Sequence, residues 1–263
     1  MTVIKSLGKI IAIFLLMIAA ALIGANQHRM NAWPFRDGFI DRVLSSLSRD
    51  KERQKDMEKK TTYWVENLKK GGYILYFRHA DREKWPEVEA FDLYEFASGT
   101  KDASETSFKR AVCLSDQGVE EAKLIGKVFQ LAKIPTGRIV SSPSCRAKQT
   151  AVLAFGKYDA IDSSIQFSRH VIEARAKVSG DSLMKLLLNV EILPGTNTVI
   201  SGHSVNLDRA RGVDGADADS PGLQETGFYV LERKSGNKLA LVFSFKSLHD
   251  LAHVAIDASF EPR

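Results

Sequence analysis

Three short strand-like runs in this chain are each followed at once by polar residues, and helical patterns separate the runs. The runs are residues 73–77, 138–140 and 196–200. The first is an unbroken apolar and aromatic run, which is typical of a strand buried on both faces of a sheet. Strands that alternate with helices predict an α/β fold, here a three-layer α/β/α sandwich with a mostly parallel sheet.

The segments after the first two runs carry signs of helix starts. Ser115 is a candidate N-cap, because apolar residues recur at helical spacing behind it. After the second run, the Ser-Ser-Pro sequence at 141–143 marks another helix start and places Arg146 in or near the first turn. The first turn of a helix presents unpaired N–H groups and positive potential, so this position suits an anion.

Two arginines and two histidines follow the predicted strands. They are Arg78 and His79 after the first, Arg146 after the second and His203 after the third. In open α/β sheets, ligands bind beyond the carboxyl ends of the strands. Arginine offers a planar fork with permanent charge, and histidine can be a neutral nucleophile or a charged donor. Since phosphoryl transfer depends on positioning and charge neutralisation, the pattern predicts a site for a dianionic phosphoryl group.

These blocks resemble the histidine phosphatase, or phosphoglycerate mutase-like, superfamily. The resemblance lies in residues 77–80, 114–118, 141–151 and 202–204, within a similar stretch from about 68 to 231. Residues 71–80, with the hydrophobic N-terminus, resemble a bacterial membrane-anchored subgroup that includes a lipopolysaccharide core heptose phosphatase.

The chain departs from the family pattern at two positions. Ala80 replaces the glycine that commonly follows the first histidine, which is tolerable where the backbone needs no positive φ. Ser204 follows His203 where the phytase-like branch has its acid, an aspartate, so the pattern argues against that branch.

The resemblance implies phosphomonoester hydrolysis through a phosphohistidine intermediate. His79 would be the nucleophile, which splits one difficult displacement into two easier ones. Arg78, Arg146 and His203 would hold the non-transferred oxygens. No metal ion and no cofactor is expected. A phosphomutase of the same fold and a non-catalytic phosphate-binding module at the membrane are the alternatives.

A carboxylic acid should protonate the leaving oxygen, and the sequence offers three candidates. Glu173 lies where the mutase-like branch of the family often has its acid, while Asp81 and Glu83 follow closely after the nucleophile. The long polar segment between Ala80 and Val112 is predicted to cover the site as a lid. Within that segment, we expect Arg110 to add a phosphate contact.

The N-terminus predicts membrane attachment. Residues 10–25 are an apolar run of about 16 residues, short of the roughly 20 that span a bilayer comfortably. An uncleaved signal anchor over residues 1–27 is favoured over a cleaved signal peptide or a core helix. Residues 28–60 then form a charged linker or stalk helix and 61–263 the catalytic domain, which we expect outside the cytoplasm, in the periplasm of a bacterium.

Composition restricts the partners. The formal net charge of +5 suits an anionic substrate or membrane, but no nucleic-acid-binding motif accompanies it. The expected partner is a phosphorylated small molecule or glycolipid. Two cysteines cannot define a disulfide framework, so free thiols are favoured for Cys113 and Cys145.

Overall fold

The computed structural model describes residues 39–85, 91, 94–95, 106–165, 173–204, 213–214 and 223–257. The predicted anchor over residues 1–27 lies outside these ranges. Within them, none of the helices combines the length and apolar character needed to cross a membrane.

Seven strands of the described residues form one sheet, with the spatial order β3-β2-β4-β1-β6-β7-β5. The strands are β1 (Ile74–Arg78), β2 (Thr136–Ser141), β3 (Ala160–Ile161), β4 (Asn197–Gly202), β5 (Val213–Asp214), β6 (Phe228–Lys234) and β7 (Lys238–Phe245).

The predicted mostly parallel sheet is confirmed in the described strands. β1 pairs with β4 in parallel, β4 with β2, and β2 with β3, while β6 runs antiparallel to both β1 and β7. The register places Arg78 directly beside Gly202. The carboxyl ends of β1 and β4 therefore lie side by side, which positions the residues that follow them.

Helices cover both faces of the sheet. The helices of the described residues are α1 (Phe39–Leu68), α2 (Thr106–Val112), α3 (Asp116–Leu131), α4 (Cys145–Phe155), α5 (Glu173–Asn189) and α6 (Leu248–Asp257), with a short 3₁₀ turn at Ser163–Ile165. Both predicted helix starts are found, since Ser115 caps α3 and Ser144 caps α4 through their side-chain oxygens.

Alternate residues of β1 enter two separate cores, as the period of two along a strand requires. Leu75 and Phe77 of β1 face the core formed with α3, α4, α6 and the end of α1. Ile74 and Tyr76 face the core formed with α5 and the 3₁₀ turn. Helices thus lie on both faces of the sheet, which is the expected three-layer arrangement.

The compact unit that contains the sheet is Asp56–Arg263. Helix α1 runs through the predicted boundary between the linker and the catalytic domain at residues 60 and 61, so that boundary stays a prediction. Two glycines with positive φ, Gly71 and Gly72, follow α1 and lead the chain into β1.

The cysteine prediction is wrong, because Cys113 and Cys145 form a disulfide with their Cα atoms 4.9 Å apart. Cys113 directly follows α2 and Cys145 is the first residue of α4. The two cysteines are 32 positions apart in sequence, and the chain between them forms α3 and β2, which bring the two cysteines together. The spacing of the two cysteines in the sequence does not show that the fold brings them together.

Candidate active site

His79 stands directly after β1 and is almost fully buried, with 4% of its surface exposed. Its backbone N–H donates to the Gly202 carbonyl at 3.0 Å, and its ring Nδ1 lies 2.8 Å from the Ala80 carbonyl oxygen. Because a carbonyl only accepts, Nδ1 carries the ring proton in this hydrogen bond. Nε2 therefore keeps its lone pair and can act as a nucleophile.

The electrostatic surroundings keep the His79 imidazole neutral. Burial lowers the pKa of His79 well below its ordinary value, and the nearby positive charge of Arg146 lowers it further. A neutral imidazole is the form that attacks phosphorus, so burial and the arginine favour the reactive protonation state.

Arg78 is the last residue of β1, and its guanidinium is fixed from two sides. Nη1 donates to the Leu223 carbonyl at 2.8 Å, and Nη2 donates to Glu225 Oε1 at 3.0 Å. The Nε–H is buried and has no hydrogen-bond partner among the described residues. A buried N–H without an acceptor is costly, so this atom is suited to an oxygen that arrives with a ligand.

Arg146 lies in the first turn of α4 and is 3% exposed. Its Nη1 is 3.4 Å from the Val112 carbonyl and 3.7 Å from Glu95 Oε2, and its Nη2 donates to His203 Nδ1 at 3.3 Å. The predicted position near the start of a helix is confirmed. The guanidinium is held inside the protein, with contacts to three other segments of the chain.

His203 follows β4 and completes the group. Its Nδ1 accepts from Arg146, so its proton is on Nε2, which donates to Ser142 Oγ at 3.0 Å. Burial and the Arg146 charge lower the pKa of His203 well below its ordinary value. The two imidazole rings, of His79 and His203, lie 5.4 Å apart between centroids.

The structure thus brings together the four residues that the sequence places at the strand ends. Arg146 contacts His203 directly, and both Arg78 and Arg146 act on the charge of His79. Two fixed guanidiniums beside a neutral imidazole with a free lone pair can bind a tetrahedral dianion and attack it.

Glu95 is a buried acid of the site that the sequence did not reveal. Its carboxylate accepts from the Cys145 N–H at 2.5 Å at the start of α4, and it forms the ion pair with Arg146. Both carboxyl and guanidinium are almost completely buried, at 2% and 4% exposure. A buried glutamate is rare unless it is paired, but no sequence pattern marks this one among the other acids of its segment.

Glu225 is a second acid that was missed. It pairs with Arg78, and its pKa is raised first by burial and further by the nearby Asp81 carboxyl. Asp81 in turn accepts from the Ser115 hydroxyl at 2.5 Å. Each arginine of the site is therefore matched by one carboxylate.

Besides Asp81, the two other candidates for the general acid are Glu83 and Glu173. Glu83 accepts two hydrogen bonds from Arg110, at 2.9 Å each, and these hold the pKa of Glu83 below its ordinary value. It is therefore a poor proton donor. Arg110 pairs with Glu83, whereas we expected Arg110 to contact phosphate. Glu173 begins α5, but its side chain lies outside the described part, so its role stays a prediction.

The segment predicted to cover the site is described only in part. Glu95 of this segment reaches Arg146, as does Val112, which directly follows the segment, and the next residue, Cys113, is bonded to Cys145. The segment therefore contacts Arg146 through Glu95.

Comparison with known proteins gives structural similarities of low sequence identity. No family model matches the sequence, and no curated protein matches it. The structure of the protein histidine phosphatase SixA complexed with tungstate is 15% identical, with a TM-score of 0.43 over 66% of this chain and 96% of that one. The alpha-ribazole phosphatase from Shigella flexneri is 13% identical, with a TM-score of 0.45 over 66% of this chain and 97% of that one.

A mutant phosphoserine phosphatase from Entamoeba histolytica, in complex with phosphoserine, is 14% identical. Its TM-score is 0.40 over 66% of this chain and 96% of that one. Similarities of this size assign no activity to the chain, so the functional inference comes from the side chains of the site.

Proposed function

We propose that this chain hydrolyses phosphomonoesters through a phosphohistidine formed on His79. The observation that carries the proposal is the hydrogen bond between Nδ1 of His79 and the Ala80 carbonyl, at 2.8 Å. It leaves Nε2 with its lone pair in a site that also holds Arg78, Arg146 and His203.

The reaction has two steps. In the first, the Nε2 lone pair attacks phosphorus while the bond from phosphorus to the leaving oxygen breaks, and Arg78 and Arg146 offset charge on the phosphoryl oxygens. A carboxylic acid, for which Glu173 is the candidate, gives its proton to the leaving oxygen. In the second, water attacks phosphorus, the P–N bond breaks, and the carboxylate takes the proton of the water.

The proposal includes no metal ion and no cofactor. Its support is that two guanidiniums of permanent charge are fixed in the site, where an anionic transition state needs positive charge. We expect activity to survive treatment with a metal chelator. Loss of activity on chelation, with recovery on adding a divalent cation, would contradict this part.

We further propose a phosphorylated small molecule or glycolipid as substrate, membrane attachment through residues 1–27 and a catalytic domain outside the cytoplasm. The Cys113–Cys145 disulfide supports this location, because disulfides persist in oxidising compartments such as the periplasm. Alkaline carbonate washing of membranes should leave the chain in the pellet, and its release would contradict the anchor.

The decisive experiment measures turnover of an aryl phosphate by the full-length chain and by His79→Ala. We expect the variant to lose at least about a thousandfold in kcat, as for loss of a nucleophile. Lys123→Ala is the control, since Lys123 lies on α3 with 53% of its side chain exposed, and it should keep its activity. Equal rates for His79→Ala and the unmodified chain would contradict a mechanism in which His79 is the nucleophile.

Trapping the intermediate separates the alternatives. Rapid quenching with a radiolabelled substrate should give a phosphoprotein that is labile in acid and stable in base, as phosphohistidine is, and His79→Ala should give none. Interconversion of phosphate-ester isomers without net release would indicate a mutase. Binding without turnover or labelling would indicate a binding module.

A further inference from the structure

The carboxylate of Glu225 is paired with Arg78, the arginine that the proposed reaction needs in order to bind phosphate. Its Oε1 lies 3.0 Å from Arg78 Nη2, and 19% of its side chain is exposed, so solvent reaches it. The Leu223 carbonyl accepts a hydrogen bond from Nη1 of the same guanidinium. Among the groups described around Arg78, the buried Nε–H is the donor left without an acceptor.

The other groups that face Glu225 come from β1 and from the segment after it. The positive charges of Arg78 and Lys84 favour its ionised form, while burial and the Asp81 carboxyl favour its protonated form. Burial is the largest influence, and the net result is that the pKa of Glu225 is raised above its ordinary value.

A phosphate dianion that binds Arg78 must come close to this carboxylate. Two like charges on one guanidinium repel each other, and protonation of the carboxyl removes the repulsion. The dianion also interacts with the Arg78 guanidinium, whose positive charge stabilises ionised Glu225. Binding of the dianion therefore shifts the Glu225 carboxyl further toward the protonated form.

We propose that Glu225 is a positioning residue that holds Arg78 in the free site and takes up a proton when phosphate binds. This inference rests on the proposed function, because it assumes that the phosphate of the substrate binds at Arg78. The proton comes from hydronium or the buffer acid in solvent: its bond to that donor breaks, the donor is left as its conjugate base, and an O–H bond forms on the Glu225 carboxyl. The ion pair with Arg78 becomes a neutral contact, which frees the positive charge of Arg78 for the dianion.

The test uses sulfate, a tetrahedral anion that stays doubly charged from about pH 5 to about pH 8, so every proton counted belongs to the protein. Calorimetry in two buffers of different ionisation enthalpy gives the number of protons taken up. His79 and His203 also face the anion and can contribute, so the comparison is between the unmodified chain and Glu225→Gln, which keeps the size of the side chain and cannot titrate.

We expect the unmodified chain to take up more protons than Glu225→Gln, with a difference that approaches one. Its sulfate affinity should fall more steeply as pH rises, by up to about tenfold more per pH unit where Glu225 titrates. Near pH 8, Glu225→Gln should bind sulfate several-fold more tightly than the unmodified chain. Glu120→Gln is the matched control, because Glu120 is 73% exposed and pairs with Lys123, and it should behave as the unmodified chain does.

Two failures can be told apart. Sulfate binding with the same proton uptake and pH slope in Glu225→Gln as in the unmodified chain overturns the role of Glu225 and leaves the phosphatase proposal standing. Absence of sulfate and phosphate binding in a folded unmodified chain overturns both. The pH slope of the unmodified chain also tests the idea without any variant, since a flat profile contradicts it.

Discussion

Removal of the disulfide should destabilise the domain by an amount that follows from the chain it encloses. Replacing Cys113 and Cys145 together by serine opens a loop whose ends are 32 positions apart. In the chain-entropy model, closing a loop of that length removes about 12 cal/mol/K from the unfolded state, or about 3.7 kcal/mol at room temperature. For a domain of this size, that loss lowers the melting temperature by roughly 7–15 °C.

Urea unfolding of the unmodified chain and of the double serine variant measures this difference. We expect a lower midpoint in the variant, and adding a reductant should bring the unmodified chain to the same midpoint while leaving the variant unchanged. A difference in unfolding free energy below about 1 kcal/mol would refute the loop-entropy reasoning. Titration of two free thiols in the unreduced, unfolded chain would refute the disulfide itself.

Three further perturbations test the core and the site. Phe228→Ala removes a buried ring stacked 4.5 Å from an aromatic neighbour on each side, and urea unfolding should show a loss of about 3–5 kcal/mol. Gly202→Ala would place a Cβ 2.5 Å from Ile165 Cγ2 and 2.7 Å from Tyr76 Oη, so a thermal melt should show destabilisation of about 1–3 kcal/mol. Because the pKa of His79 is lowered, its imidazole stays neutral as pH falls, and the acid limb of kcat/KM should have its midpoint below about 6.5, the ordinary value for histidine. A midpoint above that value would contradict the surroundings described for His79.

The strand ends were predictable from sequence because their determinants are local. Short strand-like runs specify β1, β2 and β4, and the chain direction of a parallel sheet then brings Arg78, His79 and His203 to one edge. Arg146 was predictable for the same reason, since the Ser-Ser-Pro sequence marks a helix start and Ser144, two residues before Arg146, caps that helix.

The partners of the arginines were not predictable, because they depend on long-range folding. Glu225 meets Arg78 across 147 positions of the chain, and the carboxylate of Glu95 meets the start of α4 across 50. Nothing in the local sequence distinguishes these glutamates from solvent-exposed ones. The disulfide was missed for the same reason, because the fold of α3 and β2 between the two cysteines is what brings them together.

These two carboxylates change how the cationic character of the site should be understood. The sequence suggests two free arginines that attract an anion, whereas each guanidinium is fixed by a carboxylate and a backbone carbonyl. Burial makes the two pairs unequal. Glu95 is 2% exposed, so releasing it from Arg146 would leave a buried charge uncompensated, which costs several kcal/mol. Glu225 is 19% exposed and can exchange a proton with water, so Arg78 can change partners while Arg146 stays a fixed part of the scaffold.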